Sequence, residues 1–371
     1  MSATYRVGVI GHTGRGNYGH GLDVVWNSLP GCEIVAVADA DEPGLKKAQQ
    51  RLQLTKGYQD YQQMLDQEKP DIVSICPRWT DQHHAMVMAA VERGIHIYLE
   101  KPFCRDLVEA DAIVEACEQN NVKIAIAFQT RYSPKLRIIR QLIEEGAIGK
   151  LLELRGRGKE DRRGGGEDLW VLGSHIMNMM HFFGGEPKSC SAWMTEGGQP
   201  VTAHHVIDGN EGLGPLAGDH IQAMYQFDDD VTGFFSTRRN AGPGGAGRFG
   251  LRILGERGAI DVLMGTLPPA FILQDELWSP GRSEKKWLPI STNGVGKPET
   301  LTDDSLHAGN VWACRDLLDA IEEDRQPEAN VYEGRMTIEM ILSVFESHRQ
   351  QKSVVIPLDS RINALSTLKP S

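Results

Sequence analysis

The sequence predicts a two-domain α/β protein. Residues 1–128 are expected to form a parallel sheet covered by helices on both faces, and residues 129–371 an α/β domain with a large, mostly antiparallel open sheet. Three observations carry this. The first third alternates short apolar runs with helical patterns. From about residue 129 the apolar runs instead follow one another through loops. A chain of 371 residues is also long enough to divide into two cores.

The elements follow in order. YRVGVIG (5–11) reads as the first strand and GHGLDVVWNSL (19–29) as a helix. CEIVAVAD (32–39) is the second strand, followed by helices at 42–52 and 61–67. DIVSIC (71–76) and IHIYL (95–99) are strands on either side of a helix at 82–94 that ends in glycine. A helix at 107–121 and a strand at 122–128 complete the series. Apolar strands separated by helices of this length specify a parallel sheet buried on both faces.

In the second domain, 133–146 reads as helical and 150–159 alternates as a half-buried strand does. Further strands are expected at 188–195, 220–227, 231–238, 249–255 and 259–264. Helices at 305–323 and 332–349 precede a final strand at 353–358. The 201–219 connection and the glycine-rich loop 241–247 are expected to be mobile or ligand-facing rather than core.

A net charge of −11 argues against general nucleic-acid binding, which needs clustered lysine and arginine. Six scattered cysteines include no CxxC pair, so a reducing compartment is expected. The MSATYRVGVIG start lacks the basic and apolar regions of a signal peptide, and no segment approaches eighteen apolar residues. Cytoplasm is the expected location. The spacings of His204, His205 and His220 match no strong ligand motif, so no metal is expected.

After the first strand comes GHTGRGNYGHG. A dinucleotide-binding Rossmann domain needs a tight turn here that brings backbone close to a pyrophosphate. The G-x-G-x-x-G spacing can be read on Gly11, Thr13 and Gly16, which lacks the middle glycine. It can also be read on Gly14, Gly16 and Gly19, which lies three residues later. Asp39, ending the second strand, is placed to accept the ribose hydroxyls of NAD and to repel a 2′-phosphate. NAD is therefore preferred. Arg15 is the nearby group suited to a phosphate, and it keeps NADP as the lesser alternative.

Further along the chain, Pro77, His83 and Glu100-Lys101-Pro102 occur in order. They are followed by Arg131-Tyr132-Ser133-Pro134, Glu144 to Gly149, Gly173-Ser174-His175 and Ile253-Leu254-Gly255 through Gly258-Ala259-Ile260. In these pieces the sequence resembles the glucose–fructose oxidoreductase, inositol dehydrogenase and rhizopine-catabolism (Gfo/Idh/MocA) family over nearly the whole chain. The resemblance implies a Rossmann domain followed by an open-sheet domain that often mediates dimers or tetramers. It also implies oxidation or reduction of a sugar, inositol or related polyol.

Removing a hydride from a secondary alcohol requires a base for the hydroxyl proton. Lys101 follows a parallel strand at the edge where such sheets bind ligands, and Pro102 fixes the chain after it. The resemblance places Lys101 in a catalytic or cofactor-contacting role, with Glu100 tuning or holding it. Pro77 and His83 are expected near the cofactor. From pattern alone His175 is a core histidine beside an apolar helix face; the resemblance makes it the hydroxyl-proton shuttle. The chain departs from the family at Val171, where inositol-dehydrogenase-like members carry an aspartate. Asp168, two turns before His175, replaces it only if the helix extends that far, and otherwise caps the helix. Arg131, Tyr132, Trp170 and His307 are expected in the substrate wall, because guanidinium forks and aromatic faces suit sugars.

The leading expectation is an NAD-dependent dehydrogenase of a small carbohydrate or polyol, assembled as a homodimer or homotetramer. Two alternatives remain: glycoside cleavage by transient oxidation and elimination, and a nucleotide-binding sensor without turnover.

Overall fold

The computed structural model describes residues 5–243 and 247–368. Residues 244–246 of the glycine-rich loop, and the first four residues of the chain, lie outside the described residues. The chain forms two compact units. The first holds residues through Tyr132 together with 210–214 and 305–335; the second holds 133–209, 215–304 and residues from 336 onward. The sequence reading expects a single cut after residue 128, whereas the observed first unit also takes in a stretch from near the C-terminus. In that stretch Asn310, fully buried on the helix Leu306–Glu322, accepts the Tyr98 hydroxyl at 2.8 Å.

The first unit is built on six strands: β1 (Tyr5–Ile10), β2 (Cys32–Ala38), β3 (Gly57–Tyr58), β4 (Ile72–Ile75), β5 (His96–Leu99) and β6 (Ile124–Ile126). They pair in the order β3-β2-β1-β4-β5-β6, every pair parallel. All strands therefore end on one edge, and the order reverses between β1 and β4, where ligands bind in such sheets. Strands β4 and β6 are buried along their whole length, which explains their unbroken apolar runs. Helix α1 (Glu42–Leu52) starts where the Asp41 carboxylate accepts the Gly44 amide, and helix α2 spans Tyr61–Glu68. Helix α3 covers His83–Val91, and α4 (Leu107–Asn120) starts on the Asp106 cap.

The helix expected at 19–29 is not formed. Two short 3₁₀ turns, Gly19–Gly21 and Val25–Ser28, replace it. His20 and Gly21 take left-handed φ values of 47° and 80°, which no helix interior accommodates. Leu22, Val25 and Trp26 are nevertheless fully buried, so the apolar period was real and the helix was not.

The second unit holds an eleven-stranded sheet among the described residues. Its central order runs Ala270–Leu273, Gly258–Leu263, Gly250–Gly255, Leu151–Arg157, Thr232–Arg238, His220–Phe227 and Pro187–Glu196. Only Leu151–Arg157 with Thr232–Arg238 is a parallel pair in this series; the rest are antiparallel. Ile221, Ala223, Tyr225 and Phe227 point into the core, while Gln222 and Met224 alternate outward. The helix Gly173–Gly184 covers the inner face, its Ile176 so close to Gly156 that a Cβ there would lie 2.3 Å away. Residues 270–273 and 288–291 also form strands, which four-residue runs that follow or contain proline did not announce. Only Val354–Val355 of the expected final strand pairs. The 201–219 connection is partly core, with Val201, Leu213, Leu216 and Ala217 buried. No helix of the described residues is long and apolar enough to cross a membrane.

Candidate active site

In the first unit the turn after β1 folds tightly against the segment after β4. Gly16 has φ 91°, and a Cβ there would lie 2.5 Å from the Arg78 amide nitrogen. Only glycine permits that approach. Asp39, 1% exposed, sits just past β2 and accepts the Thr13 amide at 3.0 Å and the Thr13 hydroxyl at 2.7 Å. A cleft of about 200 Å³ is lined by Gly11, His12, Asp39, Ala40, Gln59 and Gln82. His12 Nδ1 meets the Gln82 amide oxygen at 2.6 Å across it. Arg15, expected as the phosphate group, is engaged by Asp81: its Nε and Nη2 both donate to Oδ2, at 2.7 and 2.5 Å, and its guanidinium lies 5.0 Å from the Trp79 ring. The turn through Gly11, Thr13, Gly14 and Gly16, the carboxylate of Asp39 and the cleft together fit a dinucleotide.

At the end of β5, Glu100 has no exposed surface. Its Oε2 lies 2.9 Å from His20 Nδ1, and its Oε1 accepts the Lys101 amide at 3.1 Å. Burial pushes the Glu100 carboxyl up, but the charge and hydrogen bond of His20, then Lys101 and His83, outweigh it and hold the group below the ordinary range. Lys101 is 6% exposed and lies on the same strand edge as Gly11 and Asp39. His83 is fully buried, with Nδ1 2.9 Å from the Pro102 carbonyl and Nε2 2.7 Å from the Pro77 carbonyl. Its ring ties the turn after β4 to the turn after β5, which makes His83 a support for the site rather than a cofactor contact.

His20 is the residue that sequence reasoning missed. Its carbonyl accepts Asn310 Nδ2 at 2.9 Å, and a Cβ on the neighbouring Gly19 would lie 2.7 Å from Glu100 Oε2. The glycines on either side of His20 were the available signal.

The proposed wall residues of the first unit are engaged locally. Arg131 pairs with Glu328 at 2.6 Å, the Tyr132 hydroxyl donates to the Ala329 carbonyl at 3.4 Å, and His307 Nε2 lies 2.9 Å from the Ser28 hydroxyl.

In the second unit the chain breaks at Leu172 (φ −114°), which separates helix Gly166–Val171 from helix Gly173–Gly184. Asp168 therefore does not share the His175 helix. It is fully buried, accepts the Thr237 hydroxyl, and takes the amides of Glu160 and Lys159 at 3.1 and 3.3 Å. Burial pushes its carboxyl up, with these bonds pulling the other way. That is a structural anchor, and the catalytic expectation for Asp168 is corrected accordingly. Trp170 is fully buried, so its side chain is core and not a ligand-facing wall. His175 sits in the first turn of its helix, edge-on to Phe249 with ring centroids 6.5 Å apart.

Two family descriptions match. "Oxidoreductase family, NAD-binding Rossmann fold" covers residues 5–128, and "GFO/IDH/MocA C-terminal domain" covers 136–261. A D-apiose dehydrogenase of Paraburkholderia graminis is 33% identical over 124 residues, 33% of this chain and 33% of that protein. A levoglucosan dehydrogenase of Pseudarthrobacter phenanthrenivorans is 27% identical over 231 residues, 55% of this chain and 58% of that protein. The chain thus spans a third of the first relative and under two thirds of the second. A solved levoglucosan dehydrogenase in complex with NADH and L-sorbose superposes with a TM-score of 0.78 at 20% identity, covering 96% of this chain and 99% of that one.

Proposed function

Because the chain belongs to the Gfo/Idh/MocA oxidoreductase family, we propose that it transfers a hydride between NAD and a secondary alcohol or ketone of a sugar, inositol or related polyol. The relatives' names support the carbohydrate class. The observation that carries the reading is Lys101: a buried lysine, tied through its amide to the buried carboxylate of Glu100, on the strand edge that also carries Gly11 and Asp39.

When bound, the dinucleotide supplies the hydride acceptor or donor. The chain's own residues do the rest. Gly11 to Gly16 and Asp39 bind the dinucleotide. Lys101 polarises the reacting oxygen or takes its proton, and Glu100 holds Lys101 in place. The resemblance to the family makes His175 the candidate for moving the hydroxyl proton; an imidazole suits reversible transfer near neutrality.

The test is NADH formation from NAD with a panel of free sugars, anhydrosugars and polyols. Steady NADH production from at least one member is expected. Cofactor binding with no hydride transfer across the panel defeats the proposal. Release of an aglycone from a glycoside without net NADH assigns redox-assisted cleavage instead.

A further inference from the structure

The carboxylate of Asp39 has no acceptor position left over. Its Oδ1 takes the backbone amides of Thr13 and Asp41, each at 3.0 Å. Its Oδ2 takes the Thr13 hydroxyl at 2.7 Å and the Tyr18 hydroxyl at 2.9 Å, and shares the Thr13 amide at 3.1 Å. A carboxylate offers about four lone-pair positions, so these four donors fill it. Two of them are amides fixed by the turn. The other two are hydroxyls, which rotate.

Tyr18 is held in this place by more than one bond. Its ring lies so close to Gly11 that a Cβ there would sit 2.1 Å from the ring carbon Cζ. The Arg51 guanidinium lies over the ring, 4.5 Å from its centroid, and is fixed in turn by Asp23 at 2.7 Å. Burial, followed by the Asp39 charge and hydrogen bond, pushes the Tyr18 phenol well above its ordinary range, so it stays a donor.

A ribose diol brings two O–H donors and needs two acceptors. We propose that Tyr18 is a specificity-determining residue of the cofactor site: its hydroxyl holds the Asp39 acceptor position that a ribose hydroxyl requires, and binding makes Tyr18 yield it. This rests on Asp39 being the ribose contact. The Thr13 hydroxyl, standing where the usual fingerprint has glycine, holds the second such position. NAD affinity is therefore set by the exchange of a protein hydroxyl for a ribose hydroxyl. A 2′-phosphate brings no donor to that exchange, so NADP gains less when Tyr18 lets go.

The experiment is calorimetric titration of NAD and NADP into the wild type, Tyr18→Phe, Asp39→Ala and the double variant, with thermal melts to check folding. Phenylalanine keeps the ring between Gly11 and Arg51 and removes only the hydroxyl. Tyr18→Phe is expected to bind NAD roughly five- to tenfold more tightly, the scale of one typical net hydrogen bond. Its gain for NADP should be smaller, and the NAD gain should vanish in the Asp39→Ala background. Thr13→Val, which removes the other hydroxyl, should shift NAD affinity in the same direction and serves if Tyr18→Phe does not fold. Unchanged or weaker NAD binding by the hydroxyl-deleted proteins, with Asp39→Ala still weakening it, overturns the role of Tyr18 and leaves the ribose contact standing. An Asp39→Ala protein that binds NAD like the wild type overturns the ribose contact, and the role of Tyr18 with it.

Discussion

The imidazole Nδ1 of His20 lies 2.9 Å from Oε2 of Glu100, a carboxylate with no exposed surface. The other oxygen of that carboxylate accepts the Lys101 amide. One buried group therefore links a partly exposed histidine to the lysine proposed to act at the substrate oxygen. His20 keeps φ 47°, a conformation non-glycine residues seldom adopt, and Asn310 pins its carbonyl. Such backbone persists only where surrounding contacts over-determine it.

His20→Gly removes the imidazole without penalising the left-handed backbone. It leaves the buried Glu100 oxygen unpartnered, at a cost of about 1–3 kcal/mol. His20→Asn tolerates the same backbone and keeps a donor, so it should recover most of that stability. The pH dependence has a definite sign. Glu100 is held below the ordinary carboxylate range, so its contribution is present above the unfolded value of about 4.3 and is lost as pH falls through the folded one. The difference in melting temperature between wild type and His20→Gly should therefore close as pH falls below about 4. A difference that persists or grows below that pH would contradict the pairing.

Lys101→Met keeps an unbranched stem and removes the ammonium. It should preserve the melt and NAD affinity while lowering hydride transfer ~10²–10⁴-fold. His175→Ala should lower the same step. A double variant whose loss is less than the product of the two single losses would place both groups on one proton path. Near-normal turnover by a folded Lys101→Met protein returns Lys101 to an ordinary structural charge.

Asp168→Ala should be a stability variant. It strands the Thr237 hydroxyl and the amides of Lys159 and Glu160 without their acceptor. At about 1–3 kcal/mol for each stranded donor, the loss is on the order of 3 kcal/mol or more. That lowers the melting temperature by roughly 6–12 °C in a unit of this size. NAD affinity should be unchanged. A normal melt with abolished turnover would restore the catalytic role that the geometry removes from Asp168.

On the cofactor, Asp39→Ala should weaken NAD more than NADP, because it deletes both an acceptor for ribose hydroxyls and the charge that repels a 2′-phosphate. Equal losses for the two dinucleotides in parallel titrations would count against this.

The parallel sheet was legible because its apolar runs alternate with amphipathic helices at a regular spacing, which leaves few alternatives. The positions of Asp39 and Lys101 at the strand ends were legible for the same reason, since Asp39 directly follows β2 and Lys101 lies two residues past β5. The 19–29 segment was misread because Leu22, Val25 and Trp26 keep a helical apolar period while His20 and Gly21 turn the backbone left-handed. Asp168 was ambiguous because spacing along a helix carries information only while the helix is continuous, and the break at Leu172 is marked only by the single glycine that follows it, Gly173. His20 and Tyr18 escaped notice because their partners, Glu100 and Asp39, are distant in sequence and meet them only through the fold.

The outer face of the second unit's sheet yields the last prediction. Met224 stands directly opposite Phe234 on the neighbouring strand, and Trp193 lies on the other flanking strand; the three are 44%, 38% and 46% exposed. A cavity of about 630 Å³ opens on this face, lined by these side chains with Arg155 and Arg157 among others. Contiguous exposed apolar surface on a sheet is an association surface, and a self-complementary patch gives a closed two-fold assembly. The protein is therefore expected to be a homodimer or homotetramer through this face. Light scattering at micromolar concentration should return a multiple of the chain mass for the wild type. Met224→Lys with Phe234→Lys, placing two like charges opposite one another, should lower that mass while leaving NAD affinity intact. A monomeric wild type with NAD present would end this proposal, and an unchanged assembly in the double variant would move the interface elsewhere.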